Sequence, residues 1–207
     1  MTPIYHITHL RNLPGILELG GLYANSATAR RGVEHVNIAH QSIQDRRATT
    51  RVPLPPGGVL HDYVPFYFAP RSPMLYAIHR GNVQGYTEGQ TFIVHLVTTA
   101  EAIAASGQPF VFTDGHAIMA FTDFYNDLGQ LDQVDWDVMR ARYWRDTLED
   151  NDRLRRRNAE FLVHQHVPWA LVQEIGVMDR EIAVTLQHML KDQAHPSSVT
   201  IHKEWYY

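Results

Sequence analysis

The chain contains no cysteine, which removes disulfide frameworks and thiolate zinc sites from its chemistry. Lysine is nearly absent as well: Lys191 and Lys203 stand against sixteen arginines. Two explanations stay open, a compositional habit and a need for planar bidentate donors that suit phosphate. Only the positions of the arginines can decide between them. No apolar run approaches the roughly 20 residues that a membrane span needs. The opening MTPIYHITHL lacks a basic stretch followed by an apolar one, so no secretion leader is expected and a cytoplasmic location is. The net charge of −4 argues against a general polyanion binder. HExxH, GxSxG, GxxxxGK and GxGxxG are all missing, which sets aside zincin, hydrolase-elbow, P-loop and Rossmann chemistry.

What is present reads as one domain over residues 1–207. Short alternating or β-branched runs mark strands at 4–8, 63–70, 91–98 and 109–115, with three more late in the chain. Ser72 and Pro73 open a helix over 72–81. Helical spacing also marks 12–22, 136–150 and 179–192. Residues 25–58 are polar, lack a period and end on a Pro/Gly cluster, so a long loop element with at most a short helix is expected there. Regular crossover helices between successive strands are missing. The expected class is therefore α+β, with packed sheets, mixed or mostly antiparallel, and helices around them.

Thirteen histidines raise the question of a metal. His6 and His9 would point to opposite faces of a strand, and His164 with His166 lacks a third ligand at recognisable spacing, so no metal site is expected. There remains a dispersed set: His6 and Thr8 on the first strand, Tyr67 before a helix, and Glu160, a lone acid at the start of a late apolar strand.

The stretches YHITHLRNLPGILELGGL, VPFYFAPRSPMLYAI, TDGHA and RRNAEFLV resemble the DarT family over nearly the whole chain. These are the toxins of toxin–antitoxin pairs that ADP-ribosylate thymine in single-stranded DNA. The resemblance implies an ADP-ribosyltransferase fold, NAD as co-substrate and a macrodomain antitoxin of the DarG type as partner. It implies Glu160 as the catalytic acid and Arg51 as a second essential group. His6, Ile7, Thr8, Gly15, Tyr23, Arg51 and Tyr67 would bind NAD under the 25–58 element. In chemical terms, a carboxylate facing the ribose stabilises the cation that grows there as nicotinamide leaves. The resemblance makes Arg51 the acceptor of the thymine N3 proton, but guanidinium, with a pKa above about 12, is a poor base. The expectation preferred here is therefore that Arg51 holds the developing N3 anion or a pyrophosphate.

Segment 119–160 would pass beside the acceptor. Arg145, Arg153, Arg155 and Arg157 there, with Arg47, Arg71 and His116, are the DNA-contact candidates. Interleaved aromatics suit single-strand stacking, while Asp146, Glu149, Asp150 and Asp152 offer ordinary ion pairing instead. Rival readings are an RNA or protein ADP-ribosyltransferase, an NAD glycohydrolase, and an NAD-binding module without turnover. A monomer is expected, because no heptad pattern is present.

Overall fold

The computed structural model describes residues 1–193, 195 and 197–207. The chain opens with β1 (Pro3–His9), α1 (Leu13–Glu18) and β2 (Gly21–Tyr23), followed by α2 (Asn25–Arg31) and α3 (Gln41–Thr49). Next come β3 (Tyr63–Tyr67), α4 (Pro73–His79), β4 (Ile93–Thr99), α5 (Ala100–Ala105), β5 (Phe110–His116) and β6 (Phe124–Tyr125). The last third holds α6 (Trp136–Arg140), α7 (Arg153–Arg157), β7 (Ala159–His164), β8 (His166–Pro168), β9 (Glu174–Val177), α8 (Arg180–Leu190) and β10 (Ser198–Ile201).

Eight strands form one sheet in the order β10-β9-β4-β1-β3-β7-β5-β6, and β2 pairs with β8 in a separate ribbon. Pairing is antiparallel apart from β9 with β10. The α+β class and its mostly antiparallel character agree with the sequence reading, although one large sheet replaces several packed ones. Every residue of β4 is buried, which suits a strand rich in β-branched residues with both faces covered. Helix starts follow local capping chemistry: Ser72 Oγ accepts from Leu75 N at 3.1 Å, and Asp179 accepts from Ile182 N at 3.0 Å. α8 then buries Ile182, Ala183, Leu186 and Leu190 against the sheet.

Two expectations are corrected. Residues 25–58 carry α2 and α3 rather than at most one short helix. α3 escapes hydrophobic periodicity because Gln44 and Arg47, with Ile43, make up its cavity-facing side, and a polar inward face leaves no apolar stripe. The helix expected over 136–150 stops at Arg140. The Arg157 guanidinium takes the carbonyls of Val138 and Met139, both at 2.6 Å, which the next helical turn would have needed. Ala141 is extended in consequence. Among the described residues no helix is long and apolar enough to cross a membrane.

Candidate active site

β7 lies between β3 and β5, and Glu160 stands directly opposite Tyr67 of β3. The Glu160 amide donates to Thr113 Oγ1 at 3.0 Å, and that hydroxyl donates to Gly115 O at 2.7 Å. The β5–β7 register shifts between Phe112 and His116. Such irregularities re-aim side chains, and here His116 comes to stand opposite Ala159, beside the acid. On the other side of β3, β1 contributes His6, Ile7 and Thr8.

These residues line a cavity of about 410 Å³. Gly15 of α1, Tyr23 of β2 and residues 33–40 complete its wall. Asn12 latches that covering stretch: its amide donates to Val36 O at 3.1 Å, and its carbonyl accepts from Val36 N at 2.7 Å.

Glu160 is 3% exposed and would be an isolated buried charge without a partner. The partner is Arg47, itself 7% exposed, whose Nη1 donates to Glu160 Oε2 at 2.7 Å. Glu160 Oε1 has no protein donor among the described residues, and Arg47 Nη2 is buried without an acceptor. Both residues line the cavity, while Arg47 Nη2 itself is shielded from it. A ligand hydroxyl would complete the free Glu160 oxygen.

Burial holds the His6 imidazole below its ordinary pKa, against the opposing effect of its bond to Pro65 O. The neutral ring donates from Nδ1 to Pro65 O at 2.8 Å, which leaves Nε2 as an acceptor. Burial lowers His116 as well, with Glu160 opposing and Arg47 and Arg46 adding to the effect. Burial pushes the Tyr67 hydroxyl well above its usual range, Glu160 adds to this and Arg47 opposes it. Tyr67 therefore offers a neutral ring and hydroxyl. Tyr23 is already stacked on His166 at 4.2 Å between ring centroids and covered by the Arg31 guanidinium at 4.0 Å.

Of the residues expected at an NAD site, His6, Ile7, Thr8, Gly15, Tyr23, Tyr67 and Glu160 converge on the cavity. Arg51 does not. It is exposed, pairs with Val59 in an isolated β-bridge and lies outside the cavity wall. α3 ends at Thr49 and Thr50 is extended, so the helix carries Arg47 inward and the chain turns away before Arg51. Among the DNA candidates, Arg47 and His116 line the cavity.

The remaining candidate arginines are held elsewhere. Arg71 places its guanidinium over the Tyr207 ring at 4.3 Å, and Arg145 donates to the Tyr76 hydroxyl at 2.9 Å. Arg153 pairs with Asp150 at 3.8 Å and donates to Tyr143 O at 2.9 Å. Arg155 is gripped by Asp152 at 2.8 Å and Asp114 at 3.1 Å, so its charge is already spent inside the fold. Arg157 is 4% exposed and bonds backbone carbonyls, which corrects its reading as a DNA contact. Burial lowers its pKa to about 10, still protonated at neutral pH. Removing it leaves the Met139 carbonyl without a donor among the described residues, at about 1–3 kcal/mol. Val138 O keeps Ala141 N at 3.3 Å, and Arg71 O keeps the Tyr207 hydroxyl at 2.9 Å. Arg157→Met is expected to lower Tm by about 5–10 °C, read by thermal unfolding. A variant of unchanged Tm with a smaller salt dependence of oligonucleotide binding would restore the DNA-contact role.

Among the described residues no cluster of three or more His, Asp or Glu could hold a metal ion. The family described as "ssDNA thymidine ADP-ribosyltransferase, DarT" matches residues 5–207. A DNA ADP-ribosyl transferase of Thermus sp. (strain 2.9) is 47% identical, covering 100% of this chain and 96% of the relative. Thermus sp. 2.9 DarT in complex with ADP-ribosylated ssDNA superposes with a TM-score of 0.93 at 46% identity, covering 100% of this chain and 96% of that one. The same protein in complex with NAD+ gives 0.90 at 44% identity, covering 100% and 98%. A Thermosipho africanus relative, 29% identical over 93% of this chain and 47% of its own length, is a DNA ADP-ribosyl transferase–DNA ADP-ribosyl glycohydrolase fusion protein. This chain belongs to the DarT family of ssDNA thymidine ADP-ribosyltransferases.

Proposed function

We propose that the cavity receives NAD with its nicotinamide-side ribose at Glu160, and that ADP-ribose passes from it to N3 of a thymine in single-stranded DNA. The observation that carries this reading is the buried Glu160–Arg47 pair, whose two residues line the cavity and whose Glu160 Oε1 has no donor among the described residues. Glu160 Oε1 accepts from a ribose hydroxyl, and its charge faces the anomeric carbon as the bond to nicotinamide breaks. Nicotinamide leaves as a neutral molecule, so a general acid is not required. The new bond joins N3 to the anomeric carbon, and the N3 proton is released to solvent. Arg47, a permanent cation without a lone pair, holds negative charge developing on the thymine or on the pyrophosphate. His6 and Thr8 bind the ribose or the carboxamide, and Tyr67 packs on the nicotinamide ring.

Attack from N3 requires a free Watson–Crick edge, which a duplex withholds. After incubation with NAD, mass spectrometry is expected to show one ADP-ribose per reactive site on a thymidine oligonucleotide. At least tenfold less is expected on its duplex, the cost of unpairing being a few kcal/mol. Equal labelling of both, or label confined to RNA or protein, overturns the assignment of the acceptor. The remaining elements of this reading are a macrodomain antitoxin of the DarG type, a monomeric state, and residence in the cytoplasm, where NAD and DNA meet.

A further inference from the structure

We propose that Phe121 is a stacking platform for the nucleobase next to the target thymine. This rests on the acceptor being single-stranded DNA at the Glu160 cavity. The fold sorts the aromatics of the acceptor-side segment into two groups. Trp144 is buried, while Phe124, Tyr125 and Trp136 pack against the hydrophobic clusters. Phe121 is 64% exposed and Tyr143 78%. Only Phe121 stands on a turn leading directly from a cavity residue, His116.

That turn is fixed from several directions. Thr122 Oγ1 donates to His116 O at 2.9 Å, and Asp123 N donates to Asp114 Oδ1 at 2.9 Å. Arg46 Nη2 donates to Ile118 O at 2.9 Å. Arg46 therefore holds the turn while its neighbour Arg47 meets Glu160, and because the turn begins at His116 in the cavity wall, we place it beside the cavity's rim. The Arg155 guanidinium lies 5.4 Å from the Phe121 ring centroid, within cation–π range. Its charge is committed to Asp114 and Asp152, so it supports the ring rather than binding phosphate. A rigid, exposed aromatic at the rim of a base-modifying cavity matches the way single strands are held, by stacking that any base can supply. Exposed Arg46 is placed to meet the phosphate of the same nucleotide.

The test crosses protein and DNA changes. Transfer is measured on an intact thymidine oligonucleotide and on versions with an abasic site on either side of the target, for the wild type, Phe121→Ala and Phe121→Trp. In the wild type one abasic neighbour is expected to lower transfer about tenfold. Phe121→Ala is expected to raise the oligonucleotide KM about tenfold with the NAD Kd unchanged, and to lose almost nothing further on that abasic strand. Phe121→Trp is expected to restore wild-type transfer. Phe121→Ala with wild-type KM, or with an undiminished abasic penalty, overturns the proposal. A parallel loss of NAD affinity also overturns it, because the turn would then be shaping the cavity. A wild type that modifies no oligonucleotide removes the acceptor assignment itself, and this proposal with it.

Discussion

Glu160→Gln is expected to lower ADP-ribosyl transfer by at least about a hundredfold while NAD binding persists, because the lost interaction exists chiefly in the transition state. Glutamine keeps the shape and a carbonyl oxygen for Arg47 Nη1 but removes the charge that faces the ribose cation. The same change leaves the Arg47 guanidinium buried without its counter-ion, at a stability cost of about 3–5 kcal/mol. A second variant separates catalysis from folding. Glu160→Asp retains the charge, so Arg47 stays compensated and the melting temperature should fall less than in Glu160→Gln. The shorter side chain withdraws the carboxylate from the sugar, and transfer should still drop tenfold or more, since misplacement by about 1 Å can cost a hundredfold. Nicotinamide release and DNA labelling are read together. Retention of more than a tenth of the wild-type rate by folded Glu160→Gln would remove the carboxylate from the mechanism.

The strands were legible because they are written in β-branched and aromatic runs, and β4 could hardly be anything else, whereas their joining into one eight-stranded sheet was not. Glu160 was legible as an anomaly, an acid in a strand otherwise built to be buried. The helices α2 and α3 were not. Their composition is polar, α3 has no side-chain cap at its start, and its inward face answers to a charged cavity rather than to the core. Position-dependent roles of the arginines were equally hidden. RRR at 155–157 looks like a nucleic-acid patch, yet Arg155 and Arg156 tie down Asp114, Asp135, Asp150 and Asp152 and Arg157 holds carbonyls. Local sequence shows the cations and acids together but not which of them meet. Arg155, Arg156 and Arg157 are thus fixed forks inside the fold and Arg47 reaches the acid, while most of the other arginines are exposed.

The choice between Arg47 and Arg51 has the sharper consequence. The two lie four residues apart, the spacing that puts side chains on one helical face. A helix reaching residue 51 would have presented both to the cavity, but α3 ends before it. Arg51→Ala is therefore expected to keep transfer within about threefold of wild type, as surface changes usually do. Arg47→Lys is expected to lose at least about thirtyfold, even with its positive charge retained beside Glu160. Lysine can answer the carboxylate as a point charge, but it has no second arm at the position of Nη2, the donor that lacks an acceptor. Removing one preorganised donor of this kind costs about 100- to 1000-fold in well-studied sites. Measuring nicotinamide release with and without oligonucleotide assigns the missing contact. A loss confined to DNA transfer places Nη2 on the thymine, and a loss in both places it on the NAD pyrophosphate. If instead Arg47→Lys is fully active and Arg51→Ala is dead, the cavity wall rearranges before reaction and the buried pair belongs to a resting arrangement.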